Sequence, residues 1–183
     1  TALTVANSTV SGNSAPGGGG ALYNVDNSTA TLTHATVANN VTGILNSQEV
    51  SQQPTANAAV VTVQNSILAN NSGYNCSGTI ANGGNNVDSG ATCAFGTNAN
   101  SVSGVDPLLG PLAVNAPGTT ATHALLVGSP AIDRVATTGA GCLTTDQRGV
   151  TRPQGAACDS GAYELVPVAS PSPSPSPSPS PPP

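Results

Sequence analysis

A repeated ten-residue pattern near the N-terminus limits what this chain can fold into. The pattern T-[VL]-x-[NH]-[SA]-[TI]-[VL]-x-x-N occurs at Thr4–Asn13, Thr31–Asn40 and Thr62–Asn71. Each copy holds short apolar stretches between Asn, Gly and Ser residues, and strands this short cannot bury a face individually. Stacked about 4.8 Å apart, equivalent positions in successive copies form continuous ladders of side chains. The repeat therefore predicts a β-solenoid.

The alignment of the three copies predicts which side chains stack. Two interior ladders are expected, Val5–Leu32–Val63 and Val10–Val37–Leu68. The polar fourth position predicts a bend, where a side chain satisfies main-chain groups that no neighbouring strand reaches, and it holds Asn7, His34 and Asn65. An outward rank is expected at Thr4, Thr31 and Thr62. We interpret that rank as a neutral solvated surface, with ice binding as the alternative.

We expect the solenoid to be a right-handed parallel β-helix. Right-handed crossovers are the rule between parallel strands, and no apolar stripe has helical spacing. The core must be built from small residues, because the sequence has one Phe, three Tyr and no Trp or Met. We assign residues 1–74 to N-terminally incomplete β-helix coils, 75–168 to the last coils with a disulfide-tied cap, and 169–183 to a Ser-Pro stalk. Gln48–Ala58 predicts a surface loop.

The four cysteines predict two disulfides. No C-x-x-C pair is present, which argues against a zinc site. Sequential pairing would join Cys76 to Cys93 and Cys142 to Cys158, and each bridge would contribute about 3 kcal/mol by restricting the unfolded chain. Four buried free thiols are the alternative. Disulfides are typical of exported proteins, so this pairing favours an extracellular location.

The second half of the chain contains several distinctive sequence words in order. They are Asn75–Gly78, Gly83–Val87, Val105–Leu112, Thr122–Asp133, Asp146–Pro153 and Cys158–Glu164. Their succession resembles the C-terminal region of bacterial surface proteins called choice-of-anchor Q domain proteins, over roughly residues 60–164. The resemblance implies a secreted or wall-displayed bacterial protein that carries a β-helix upstream. It implies an adhesin-like character and no enzymatic activity.

The charged residues of the second half are few and grouped. They are chiefly Asp133, Asp146, Arg148, Arg152 and Asp159. We interpret them as a partly buried ion-pair network that ties cap loops onto the last coil, with a sugar or calcium site as the alternative. Leu125, Leu126 and Ile132 would then cover the open end of the core, because an uncapped solenoid exposes unpaired strand edges.

Charge and motif content exclude several functions. The chain has no Lys, three Arg and a net charge of −5, so it lacks the basic face that nucleic acids or anionic membranes need. Clustered carboxylates for a polysaccharide lyase or hydrolase are missing from residues 1–74, whose charged residues are Asp26 and Glu49. We interpret His34 and His123 as structural, since no G-x-S-x-G elbow is present. We predict no catalytic residue, cofactor or metal site and no membrane insertion.

The C-terminal tail alternates Ser and Pro, which favours a stiff polyproline II spacer. Its alternating serines are predicted O-glycosylation sites: Ser170, Ser172, Ser174, Ser176, Ser178 and Ser180. A solenoid with an open first coil could stack head to tail into a filament. Together these features predict an extracellular or cell-surface structural or adhesive module that contacts glycans or cell-wall polysaccharide. The alternative is a carbohydrate-binding or carbohydrate-degrading protein with its active site in a missing N-terminal part.

Overall fold

The computed structural model describes residues 1–48, 58–138 and 141–167 of the chain. Strands make up 39% of it, and the described residues form no α-helix. The main sheet contains β1 (Ala2–Ser11), β3 (Thr29–Ala38), β5 (Val60–Gln64), β6 (Ile67–Ala69), β8 (Ile80–Gly84), β9 (Val87–Asp88) and β10 (Val102–Ser103). A second parallel sheet contains β2 (Leu22–Asn24), β4 (Ile44–Asn46) and β7 (Cys76–Ser77). An antiparallel hairpin follows, β11 (Leu109–Val114) with β12 (Ala121–Leu125).

The predicted stacking of the repeats is confirmed. β1 pairs in parallel with β3, which pairs with β5 and β6. The register aligns the two predicted interior ladders, Val5–Leu32–Val63 and Val10–Val37–Leu68, and the outward rank Thr4–Thr31–Thr62. Repetition of side-chain size at each position explains why this register is specified, because a slip of one residue would turn every apolar side chain outward.

The prediction of a right-handed parallel β-helix is wrong. The main sheet is a parallel half-barrel that curls through 257° and does not close into a solenoid. The strands that would complete the coil, β2, β4 and β7, are two or three residues long and form a separate sheet. Turns rich in Asn and Gly connect them to the main sheet. One of these turns needs glycine, because Gly78 has φ +81° and a Cβ there would collide with the carbonyl of Asn46.

The predicted bend is confirmed at the polar fourth position. Asn7, His34 and Asn65 have φ of 44°, 49° and 52°. This left-handed conformation is uncommon outside glycine, and Asn, Asp and His adopt it most readily. Asn85 and Asn100 continue the series with φ of 56° and 58°. The bend divides the long strands into two halves that form adjoining walls of the half-barrel.

A second polar ladder, inside the half-barrel, was not predicted. The side-chain amide of Asn13 donates to Asn40 Oδ1, Asn40 Nδ2 donates to Asn71 Oδ1, and Asn71 Nδ2 donates to Asn75 Oδ1. Asn75 Nδ2 completes the series by donating to the buried carboxylate of Asp88 at 2.6 Å. Each Oδ1 in the middle of this ladder also accepts a main-chain N–H. The ladder therefore provides hydrogen-bond acceptors for the main-chain N–H groups of the turn where the chain leaves the main sheet.

The segment from Leu125 onward covers the side of the sheet, whereas Leu125, Leu126 and Ile132 were expected to cover the open end of the core. The outer face of β3, β6 and β9 contributes Ala38, Ile67, Ala69 and Val87 to a second hydrophobic core with Leu125 and Ala131. Ile132 packs against this core, but Leu126 is 49% exposed, so its predicted covering role is wrong. A parallel sheet is normally buried on both faces. The outer ladder is apolar here, so it needs such a cover.

Candidate functional site

A row of polar side chains lies where the C-terminal segment crosses the bend. Asn7 Nδ2 donates to the carbonyl of Thr145 at 2.7 Å, and Asn100 Nδ2 donates to that of Arg134 at 2.7 Å. Between them, His34 and Asn65 both contact the carbonyl of Gly141. Side chains forced outward by the left-handed backbone thus hold a segment distant in sequence.

His34 is fully buried at this crossing. Its Nε2 lies 2.9 Å from the carbonyl oxygen of Gly141, which can only accept a hydrogen bond, so Nε2 carries the ring proton. The opposite nitrogen, Nδ1, has no hydrogen-bond partner, and neither has Oδ1 of Asn7, the residue that occupies the equivalent place in the preceding strand. Burial, reinforced by the positive charge of Arg152, lowers the pKa of His34 to about 4. The ring is therefore neutral at pH 7.

Two buried ion pairs hold the C-terminal segment together beside His34. The guanidinium of Arg148 lies 2.7 Å from the carboxylate of Asp146, and that of Arg152 lies 2.7 Å from Glu164. Arg148 also stacks 3.4 Å above the centre of the Tyr163 ring. All four ionic side chains are shielded from solvent. The predicted network therefore exists among these residues, and Glu164 is a member that the sequence did not reveal.

Hydrogen bonds occupy the carboxylates of this network. Glu164 Oε1 accepts from the main-chain N–H of Gln154, and Oε2 accepts from that of Asp159. Asp146 Oδ1 accepts the main-chain N–H groups of Arg148 and Val150, and Oδ2 accepts that of Glu164 together with the side-chain Nε–H of Arg148. Each of these four carboxylate oxygens accepts at least one hydrogen bond from the chain itself. The sugar or calcium alternative finds no support in this geometry.

Asp159 and Asp133 differ from the ion-paired acids. Burial raises the pKa of Asp159 to about 6, against the two main-chain N–H groups, of Leu165 and Asp133, that its carboxylate accepts. Asp133 itself accepts the N–H of Ala157. The described residues contain no cluster of three or more His, Cys, Asp or Glu side chains arranged to hold a metal ion.

A serine and the second histidine meet at the end of β1, a contact that the sequence did not reveal. Ser11 Oγ lies 2.9 Å from His123 Nε2, and His123 Nδ1 lies 2.8 Å from the carbonyl of Gly110. Because that carbonyl accepts, Nδ1 carries the proton and Nε2 accepts from Ser11. The serine lies in a strand and no carboxylate orients the ring, so this pair lacks parts of a nucleophilic triad. It fastens the hairpin to the first strand.

A groove beside β4, β5 and β7 has a volume of about 750 Å³. Its lining includes Leu45, Val60, Ser77 and Thr79, and the described part contributes no charged or aromatic side chain to it. Carbohydrate cleavage needs clustered carboxylates, and tight sugar binding commonly uses aromatic platforms. The groove provides neither among the residues described.

Both predicted disulfides are present. Cys76 is bonded to Cys93 and Cys142 to Cys158, and no described cysteine is free. These bonds are consistent with a secreted protein. The described residues contain no helix long and apolar enough to cross a membrane. The predicted O-glycosylation sites, Ser170 to Ser180, and most of the predicted loop lie outside the described residues.

No family model, curated protein or solved structure matches this chain. The resemblance to choice-of-anchor Q domain proteins, and the adhesin-like character it implies, therefore stay predictions.

Proposed function

We propose that this chain is an extracellular structural module that contacts glycans or cell-wall polysaccharide through one face of its main sheet. The observation that carries the proposal is the character of that face. The outward rank Thr4–Thr31–Thr62 and its neighbours form a regular surface without a charged side chain among the described residues. Hydroxyl groups repeated at strand spacing match the neutral hydroxyls of a polysaccharide.

The way the rest of the molecule is held supports a structural role. The C-terminal segment uses its ionic side chains internally, in the pairs Arg148–Asp146 and Arg152–Glu164. Two disulfides restrict the same half of the chain. A module exposed outside a cell benefits from such restraint, because local opening is what admits proteases. The Ser-Pro tail would serve as its stalk.

Co-sedimentation with purified bacterial cell walls tests the adhesive part of this proposal. The full chain should pellet with the walls, and the variant Thr31→Glu should lose at least ten-fold in retained protein. Thr119→Glu is the matched control, because it adds the same charge at an exposed position of the hairpin turn, away from the face. Equal retention of all three proteins, or no retention of any, would overturn the proposal.

A further inference from the structure

The outward rank repeats a hydroxyl group in each of three neighbouring strands. Thr31 of β3 lies in register with Thr4 of β1 and with Thr62 of β5. The residues two positions away on either side in β1 and β5 face the same way and carry no hydroxyl: Ala2, Ala6, Val60 and Gln64. In these two strands the outward hydroxyl therefore occurs at the rank, and the line of hydroxyls runs across the strands.

β3 also carries hydroxyls along its own length. Thr29 and Thr33 flank Thr31 at two-residue steps, so a second line of hydroxyls crosses the rank at Thr31. The two lines differ in spacing, because neighbouring strands lie about 4.8 Å apart whereas two residues along a strand span roughly 6.6 Å. The sugar rings of an extended β-1,4-linked chain follow one another at a spacing close to the first value. The outward rank is therefore the line that matches such a chain.

The geometry of the rank favours a polymer over a single sugar. Thr4 and Thr31 are exposed and Thr62 is half-buried. A threonine hydroxyl both donates and accepts, so it pairs with a sugar hydroxyl in either direction. Because the rank lies on a sheet face, it touches one side of a ring and makes few bonds to each sugar. Linked sugars overcome this weakness, since binding of one raises the effective concentration of the next.

Charge favours a neutral polymer over an anionic one. The chain has a net charge of −5 and no Lys, so it repels an anionic polysaccharide unless a cation is at hand. Arg148 and Arg152 are held in buried ion pairs. The third arginine, Arg134, donates to the main-chain carbonyls of Pro130 and Asn100. The outward rank and its neighbours in the three strands contain no arginine.

We infer that the outward rank binds a neutral, extended polysaccharide chain of the β-1,4-linked type, which lies across the strands. This inference rests on the proposed function and adds the class and the direction of the ligand. The polysaccharide chain contacts β1, β3 and β5. The line of hydroxyls ends at β8, where Ala81 lies in register with Thr62.

Co-sedimentation of the full chain with insoluble polysaccharides tests the class of ligand. The protein should pellet with chitin or cellulose, both neutral and extended, at least ten-fold more than with starch granules, whose α-linked chains coil. Cross-linked polygalacturonate, an anionic polymer, should retain as little as starch. Long soluble β-1,4-linked oligosaccharides should release the bound protein, whereas the corresponding monosaccharide at the same sugar concentration should not.

Two double variants test the direction of the ligand. Thr4→Val/Thr62→Val removes two hydroxyls of the outward rank and should lower retention on chitin or cellulose at least ten-fold. Thr29→Val/Thr33→Val is the matched control, because it removes two hydroxyls along β3 and also keeps Thr31; its retention should stay within about two-fold of the wild type. Valine keeps the branched shape that suits a strand, so far-UV circular dichroism should show both variants folded.

The outcomes separate this inference from the proposed function. Equal losses in the two double variants, stronger retention on starch or polygalacturonate, or release by the monosaccharide would overturn the inference and leave wall binding through this face in place. Failure of the wild-type protein to pellet with bacterial cell walls would overturn the proposed function, and the inference with it.

Discussion

Replacing His34 with asparagine should make the protein resist mild acid better than the wild type. In the unfolded chain this histidine takes up a proton near its ordinary pKa of 6.5, whereas the folded protein holds the pKa at about 4. Between these values the unfolded state binds more protons, so folding stability is complete above pH 6.5 and is lost as the pH falls toward 4. Asparagine has no such titration and suits the left-handed backbone, as Asn7 and Asn65 do.

The magnitude follows from the two pKa values. At about 1.4 kcal/mol per pKa unit, the full shift corresponds to about 3 kcal/mol, of which about 2 kcal/mol is lost by pH 5. Relative to the wild type, His34→Asn should therefore gain about 2 kcal/mol in the free energy of unfolding between pH 7 and pH 5. The comparison isolates His34, because every other titrating group is common to both proteins.

Urea denaturation with intact disulfides, followed by far-UV circular dichroism, measures this difference. Asp159→Asn is the opposite control. The pKa of Asp159 is about 6 in the folded state against 3.8 ordinarily, so the folded wild type binds the extra proton and gains stability as the pH falls through 6. The Asp159→Asn variant lacks that gain. Between pH 7 and pH 5, its free energy of unfolding should therefore rise by about 1 kcal/mol less than that of the wild type. Parallel pH profiles for His34→Asn and the wild type would refute the reasoning.

Three further perturbations separate the elements that hold the C-terminal segment. Glu164→Gln leaves the buried guanidinium of Arg152 without its counter-charge and should cost about 3–5 kcal/mol in urea denaturation; a cost below about 1 kcal/mol would contradict the pairing. Replacing both Cys76 and Cys93 with serine should cost about 2–4 kcal/mol. The melting temperature should fall, and reductant should not lower it further through this bridge, because the variant has no such bridge to open. His123→Phe strands two hydrogen-bonding partners and should cost about 1–3 kcal/mol, with faster amide exchange confined to the hairpin; uniform exchange across the sheet would contradict a local anchor.

The stacking of the repeats was predictable because its signal is local and repeated. Val5, Leu32 and Val63 recur at one position of a short pattern, so aligning the sequence with itself was enough to give their register. The bend followed for the same reason, since an amide or imidazole recurs at its position. Closure of the coil was not predictable, because it depends on whether two- and three-residue strands continue the main sheet, and the sequence pattern does not encode that geometry.

The contacts of the C-terminal segment were harder to predict because they join residues far apart in sequence. Ser11 and His123 are separated by 112 residues, and neither stands in a motif that would pair them. Glu164 was missed as the partner of Arg152 for the same reason, although both belong to the charged minority of a chain that is 6% charged. In a chain with so few charged residues, a buried ion-pair partner could have been predicted for Glu164.

The outer ladder of the sheet explains why the C-terminal segment lies along the side of the stack. Thr36 and Ile67 occupy the same outward position in successive strands, and the apolar character increases from β1 toward β9. The C-terminal segment covers the threonines of this ladder as well, because Thr36 is 1% exposed and its Oγ1 accepts the N–H of Ala162. The rank proposed to contact polysaccharide, Thr4–Thr31–Thr62, lies on the other side of the bend. The bend therefore separates the face that binds the chain's own C-terminal segment from the face proposed to contact a partner.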